Sequence, residues 1–446
     1  MISYSNQAYW LFQDRIRPLF DKERRFCVNR VKRYNQASIA EVELLKNEAF
    51  INLIHHAYNN VPYYNRVMKK LKLTPNDFKS IDDIKKLPPL TKDIIRENKA
   101  LLRAKNYRVY KSRRSGGTTG EPIETLLDKR AQVMEVYAHQ AGIKIMGRSR
   151  KDININLFGG SLGLKRSSIL DWVKEKVQNR VFLPAFNLNN DNVEEYITVL
   201  QKYKGNVIIG YASALHSLAE LVIKKGYHDL KMKMVVSTAE YLPNDWAETI
   251  SVAFNCPIKS YYGCGEINSL GYQEQGSGDY IIPDEHVHIE SLSKNYEDIP
   301  KDSLLVTSLF NYAQPLIRYV NGDMGRVASP SKQTYNRSSI KQLLGRTADN
   351  FVKNDGSFLS ASFAPHLIFK TQLPVSKYQF IQKSINTIEF RYTSNKEIGE
   401  TGLDQLKVIV QQSLELDELV FIPKNTDDFI LSKSGKHRIM ISEVNK

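Results

Sequence analysis

Residues 115–122 read Ser-Gly-Gly-Thr-Thr-Gly-Glu-Pro and follow Arg113 and Arg114. Gly116, Gly117 and Gly120 let backbone N–H groups approach phosphate oxygens, and the hydroxyls of Ser115, Thr118 and Thr119 add rotatable donors. The stretch is composed like a phosphate cradle. It is not a Walker A loop, because no Gly-Lys-Ser/Thr follows at the required spacing, and it is not a dinucleotide fingerprint. The same composition also suits a turn-rich surface loop, so the reading depends on what lies on either side.

Upstream, residues 1–100 read as a mainly helical lead-in. Leu44, Leu45, Phe50, Leu53 and Ile54 fall near helical spacing before the turn signals NNVPYYN and LPPLTKD. Downstream of about residue 150 the runs INLF (155–158), VII (207–209), MVV (234–236) and LLVT (304–307) alternate with helix-like segments, the pattern of an α/β sheet. One βα unit is explicit. Val207 to Ile209 form its strand, Ser213 its helix cap, and Leu215, Leu218, Ala219 and Val222 its buried stripe before Gly226. After Gly345, strand-like YQFIQ, TIEFRY and LVFIP surround helix-like LDQLKVIVQQSLE, with a glycine-bearing loop at Lys433 to Lys436. The expected organisation is a large body over residues 1–345 and a small, mobile α+β domain over 346–446.

Composition fits that plan. A chain of 446 residues exceeds one ordinary core, and 42% hydrophobic with 25% charged residues is globular. The first twenty residues lack the basic, apolar and cleavage regions of a signal peptide, and no apolar run approaches the ~18 residues that span a bilayer. Cys27, Cys256 and Cys264 follow no disulfide or metal spacing. A cytoplasmic enzyme with free thiols and no transmembrane segment is expected. The net charge of +15 raises nucleic acid, an anionic membrane or a polyanionic substrate as partner. With no arginine-rich tail or base-stacking motif, nucleic acid is not expected. The charge is read as steering an anionic small substrate such as ATP, with peripheral membrane contact left open.

Five further motifs follow in order: Ser237-Thr238-Ala239-Glu240, Tyr261-Tyr262-Gly263-Cys264-Gly265-Glu266, Pro315 to Asp323 (PLIRYVNGD), Gly345-Arg346-Thr347-Ala348-Asp349, and Ser434-Gly435-Lys436-His437-Arg438. With the 115–122 loop, this succession resembles the adenylate-forming superfamily of acyl-CoA synthetases, luciferases and peptide-synthetase adenylation domains. The resemblance implies a large N-terminal α/β adenylation domain and a small C-terminal α+β domain. It also implies roles. Ser115 to Gly120 would hold phosphates, Ala239 and Glu240 would line adenine, and Tyr262 and Gly263 would lie against it. Glu266 would help to hold Mg2+, Asp323 would accept from both ribose hydroxyls, and Arg346 would sit with the nucleotide-binding residues. Asp349 would be the hinge, with Ala348 departing from the family's Gly-Arg-x-Asp-Asp pattern, and Lys436 would reach the reacting carboxylate and α-phosphate.

The phrases HHAYNNVPYYN and LPPLTKDIIREN are similar to the phenylacetate-CoA ligase branch, and the short body with a compact tail to its CapK-like capsular-polysaccharide subgroup. The implied function is ATP- and Mg2+-dependent activation of a carboxylic acid as acyl-AMP, then transfer to an amine or thiol acceptor. An aryl- or acyl-CoA ligase using CoA is the alternative. A non-catalytic nucleotide-binding or basic surface protein is the reading from another class, opposed by intact Glu266, Asp323 and Lys436. Residues 156–163 and 210–213 stand where the family places its substrate pocket.

Overall fold

Helices form first along the chain, where the apolar residues recur at helical spacing. The computed structural model describes residues 2–114, 123–158, 175, 177–185, 188–240, 242–274, 278–297, 299–346, 351–354, 358–359, 364–371, 373–394, 397–431 and 437–444. Helix α1 (Ile2–Leu11) continues through a π-helical turn (Phe12–Ile16) into α2 (Arg17–Phe20). The Asp21 carboxylate caps α3 (Lys22–Tyr34), and a Ser38/Glu41 capping box starts α4 (Ile39–Asn60). Then come α5 (Pro62–Lys70) and α6 (Lys92–Glu97). Helix α4 buries Leu45, Phe50, Leu53 and Ile54, whereas Leu44 lies off that stripe and is exposed. The Lys46 ammonium straps α4 to the body through a buried pair with Asp284 at 2.8 Å.

Strands β1 (Lys111–Arg114) and β2 (Glu124–Leu127) pair antiparallel, with Arg114 opposite Glu124. Helix α7 (Lys129–Ile145) follows, its first turn capped by Asp128. The β-branched runs then give β3 (Asn154–Phe158), β4 (Arg180–Pro184), β5 (Val207–Gly210), β6 (Met234–Thr238) and β7 (Ile258–Tyr262), all parallel in the order β4-β3-β5-β6-β7. Helices α8 (Val193–Lys202), α9 (Ala212–Lys224) and α10 (Asn244–Phe254) make the crossovers. Beyond β7 the sheet turns antiparallel through β8 (Gly271–Gln273), β9 (Tyr280–Ile281), β10 (Val287–Ser291), β11 (Ser303–Ser308), β12 (Tyr319–Ser331) and β13 (Arg337–Arg346). The complete order is β10-β11-β12-β13-β9-β8-β7-β6-β5-β3-β4.

A second unit has its own sheet and core, so the α/β fold consists of a large mixed-sheet domain and a small C-terminal one. After the short hairpin of β14 (Phe351–Val352) and β15 (Phe358–Leu359) comes α11 (Ala364–Thr371). Strands β16 (Lys377–Ser384), β17 (Thr387–Thr393), β18 (Val420–Asn425) and β19 (Met440–Ser442) order as β18-β17-β16-β19. Helix α12 (Glu400–Leu414) covers them with Leu406, Val410 and Leu414, against Phe380 and Phe390.

Helix α7 lies so close to β8 that a Cβ at Gly142 would stand 2.3 Å from the Tyr272 ring. The ring is fully buried and its hydroxyl meets His139 at 2.9 Å, so it has nowhere to retreat. Gly142→Ala is expected to cost about 1–3 kcal/mol by overpacking, despite alanine's higher helix propensity. Chemical denaturation of the two proteins checks this; equal or greater stability of the variant would contradict the packing described.

Candidate active site

Four of the singled-out segments meet at one edge, because the parallel register aligns strand ends. Leu157 pairs with Gly210, Gly210 with Ser237, and Thr238 with Tyr261. The carboxyl ends of β3, β5, β6 and β7 therefore form one rim, where open parallel sheets bind ligands. The rim carries Phe158 and Tyr211, whose rings pack edge to face at 5.2 Å, and the turn Ala239-Glu240 with Ala239 at φ +68°. Gly263 leaves β7 against the following turn; a Cβ there would come within 3.3 Å of the Ser269 nitrogen.

Strands β7 and β12 are four steps apart in hydrogen-bonding order, about 19 Å on a flat sheet at ~4.8 Å per step. The sheet curls, and their side chains touch. The Tyr262 hydroxyl donates to Asp323 Oδ2 at 2.6 Å, while Asn321 Nδ2 donates to the Tyr262 hydroxyl at 2.5 Å and to Asp323 Oδ2 at 3.1 Å. All three residues are buried. Burial, reinforced by the Asp323 charge, pushes the Tyr262 phenol well above its usual value, which keeps it a donor. Asp323 also stands opposite Arg346 in the β12–β13 register.

One strand turn away, Glu266 is buried, accepts from the Tyr319 hydroxyl at 2.8 Å, and lies 3.9 Å from the Lys92 ammonium. Among the described residues no cluster of three or more His, Cys, Asp or Glu could hold a metal by protein ligands alone. A single carboxylate is nevertheless the donor set with which Mg2+ is held when substrate phosphates supply the other oxygens, so Glu266 fits that ion. Neighbouring Cys264 is buried and bonded to the Ile267 carbonyl at 3.3 Å; burial pushes its thiol well up, which makes it inert.

Glu240 joins the two domains. Its Oε2 accepts from the Ser213 N–H at 2.9 Å and its Oε1 from the His437 N–H at 3.1 Å. Ser213 is thus not the helix cap expected from sequence: Tyr211 occupies the N-cap position, where its side chain does not cap the helix, and the Glu240 carboxylate caps α9 instead, favoured by the helix dipole. Around this clasp the Trp246 ring stacks on His216 at 4.6 Å and on His437 at 6.2 Å. His437 Nε2 meets the Tyr378 carbonyl at 2.9 Å, while Nδ1 is buried with no hydrogen-bond partner among the described residues. Burial first, then the Lys377 charge, lowers the His437 pKa to about 4; burial lowers His216 to about 4 as well.

Of the expected site residues, Ala239, Glu240, Tyr262, Gly263, Glu266, Asp323 and the backbone of Arg346 are brought to this rim. Ser115, Gly116, Gly117, Thr118, Thr119, Gly120, Asp349 and Lys436 lie outside the described residues, as do 159–163 of the anticipated pocket. The neighbours of the loop are described. Arg113 forms a buried ion pair with Glu135 of α7, whose Oε1 also accepts from the Asn268 N–H at 3.4 Å. Glu135, Lys92, Tyr319 and Asn321 were not singled out from sequence. Glu135, Lys92 and Tyr319 act through partners at least 22 positions away, and Asn321 through Asp323 two positions on; the signals on offer were the places of Tyr319 and Asn321 inside PLIRYVNGD and of Lys92 inside LPPLTKDIIREN.

No family model matches the chain. It is similar to protein CapK of Staphylococcus aureus, 23% identical over 382 residues that cover 81% of either chain. It is similar to the phenylacetate-coenzyme A ligase of Aromatoleum evansii, 24% identical over 439 residues, covering 92% of this chain and 95% of that one. Its fold matches 2-hydroxyisobutyryl-CoA ligase in the postadenylation state with a TM-score of 0.71 at 15% identity, over 92% of each chain. The score against the same ligase in its thioesterification state is 0.58. The chain is a distant homologue of CapK and the phenylacetate-coenzyme A ligases, and it has the fold of the adenylate-forming ligases.

Proposed function

We propose that this protein is an adenylate-forming ligase that activates a carboxylic acid with ATP and passes the acyl group to an amine or thiol. The observation that carries the reading is the buried Tyr262–Asn321–Asp323 cluster beside Glu266 at the carboxyl rim of the parallel strands. Tyr262 and Asn321 fix Asp323 as an acceptor on the rim, the chemistry a ribose diol needs. A substrate carboxylate oxygen attacks the α-phosphorus, the bond to the β-phosphate oxygen breaks, and pyrophosphate leaves. The acceptor then adds to the acyl carbon and AMP departs. Both reactants of the first step are anions, so catalysis rests on placed charge. Mg2+ at Glu266 would offset phosphate charge; the 115–120 loop and Lys436 would contribute donors and an ammonium.

The two-part substrate demand suits two tail positions, with the boundary proposed at 345/346 and Asp349 as pivot. The closer superposition on the postadenylation form supports reading the present arrangement as that of the first half-reaction. The clasp by Glu240 holds His437, the residue after Lys436. CoA is supported as acceptor by the near full-length similarity to a phenylacetate-coenzyme A ligase; an amine acceptor in surface polysaccharide synthesis is what the resemblance to the capsular-polysaccharide subgroup implies, and either reaction would draw on cytoplasmic ATP.

The direct test is carboxylate-dependent ATP–pyrophosphate exchange over a panel of aryl, alkyl and amino acids. Exchange is expected for some acid, and ATP binding without exchange for any would favour a non-catalytic nucleotide-binding protein. Asp323→Ala should weaken ATP binding by about 1–3 kcal/mol, and Lys436→Ala should abolish most adenylation yet still turn over a supplied acyl-adenylate. Unchanged ATP affinity, or equal loss in both half-reactions, would remove the respective residue from its role.

The clasp predicts a pH dependence. His437 and His216 are neutral in the folded state, with pKa values lowered to about 4 from an unfolded value near 6.5. Their contribution is therefore complete above 6.5 and is lost as pH falls towards 4, by up to about 1.4 kcal/mol per pH unit for each. Stability measured from pH 8 down to 4.5 should fall in that window, and the fall should be shallower in His437→Gln. A pH-independent melting temperature would show the imidazoles free to titrate normally.

A further inference from the structure

The N-terminal helical segment turns the polar side chains of Asn6 and Gln13 inwards. Asn6 Nδ2 donates to the Val177 carbonyl at 2.8 Å, the Tyr137 hydroxyl of α7 donates to the Gln13 carbonyl at 3.0 Å, and Asn6, Gln13 and Pro18 are buried. Outwards stand Leu11, Phe12, Ile16, Leu19 and Phe20, exposed from 43% at Ile16 to 87% at Phe20. A surface helix normally presents the opposite sides. Positions 12, 16 and 20 are four apart, more than the ~3.6 residues of an α-helical turn. The π-helical turn at Phe12–Ile16 takes up the excess, so these residues keep to one side instead of spiralling off it.

The charges around this stripe are sorted by sign. Asp14 is paired with Arg150, Asp21 with Lys129 at 3.1 Å and Glu23 with Arg130 at 2.6 Å. Arg15, Lys22 and Arg25 are exposed, and among the described residues none has a carboxylate within ion-pair distance. Aromatic and aliphatic side chains flanked by cations, on a helix lying along the surface, form the pattern of an in-plane membrane anchor. No helix among the described residues is long and apolar enough to cross a bilayer.

We propose that the face made by Leu11, Phe12, Ile16, Leu19 and Phe20, with Arg15, Lys22 and Arg25, seats this protein on an anionic lipid surface. The apolar stripe enters the headgroup boundary, and the three cations meet lipid phosphates. Charge complementarity selects lipid over a second copy of the chain. An isologous dimer would bring the same cationic face of both copies together, each on a body of net charge +15.

Co-sedimentation of the full chain with phosphatidylcholine vesicles, with and without phosphatidylglycerol, tests it. Binding should be about tenfold or more tighter to the anionic vesicles and weaken at high salt. Phe12→Glu combined with Phe20→Glu should lose about tenfold or more in that binding with an unchanged melting temperature, because both side chains are exposed. Arg15→Glu with Lys22→Glu and Arg25→Glu should erase the preference for anionic lipid. The proposal is overturned if wild-type protein ignores anionic vesicles at low salt, or if the Phe12/Phe20 double variant binds as the wild type does. It is equally overturned if sedimentation velocity finds a dimer that this variant dissolves while vesicle binding is absent.

Discussion

The hydrogen bond between the Tyr262 hydroxyl and Asp323 is the constraint on which the rest of the site depends. It closes the curl of the large sheet, tying the end of the parallel limb to the start of β12 across four strand steps. A buried carboxylate is costly unless its lone pairs are satisfied. Here Tyr262 and Asn321 supply donors to Oδ2, and the Asp323 N–H bonds back to Asn321 Oδ1 at 3.0 Å. Because the phenol is held far from ionising, the donor is permanent, and the carboxylate is fixed as an acceptor in a pre-arranged direction. Such pre-organisation lets a ligand gain hydrogen bonds without first ordering the protein.

The second constraint is that one carboxylate serves two domains. Glu240 leaves β6 at the rim, caps α9 with one oxygen and holds the His437 N–H with the other. A turn at the carboxyl rim of the body is therefore mechanically continuous with His437 of the tail, the residue after Lys436. The neutral His437 ring, stacked on Trp246 and hydrogen-bonded to Tyr378, bridges body and tail through groups that carry no net charge of their own. Interfaces between domains of one chain are more polar than obligate ones, and among the described residues the Glu240–His437 contact is of that directional kind.

Local pattern made much of the fold legible. The runs at 155–158, 207–209, 234–236 and 304–307 are strands, and the βα unit after Val207 is present as read. Where the reading failed, the deciding partner was remote. Ser213 looked like a cap because its type is right, yet a glutamate 27 positions on takes that task. Leu44 sits one position off a stripe that Leu45 defines. Lys92 and Tyr319 converge on Glu266 only after the lead-in has been zipped to β12, where the Leu90 N–H bonds to the Arg318 carbonyl at 2.9 Å and the Val320 N–H to the Leu90 carbonyl at 3.0 Å. Periodicity and residue type encode which way a side chain faces, but not what meets it from another layer.

Net charge illustrates the same limit. Read as one number, +15 suggests a field that gathers ATP, but the structure divides the cations into populations with different work. Lys46 and Arg337 are buried against Asp284 and Glu285 at 2.8 and 3.0 Å, and Arg318 is held by Glu290 at 2.7 Å. Lys46 welds the helical lead-in to the antiparallel limb directly, Arg337 and Arg318 are paired within that limb and reach the lead-in through Asn35 and the Leu87 carbonyl, and the fields of all three are largely cancelled at short range. Arg15, Lys22 and Arg25 instead stand in solvent on the segment that carries the exposed aromatic and aliphatic side chains, where their charge is felt within a Debye length of the surface. A field that only drew a small anion to the rim would gain nothing from phenylalanines in water. The apolar stripe costs solubility wherever it is left uncovered, so its coincidence with unpaired cations is accounted for by a surface that is at once apolar and anionic.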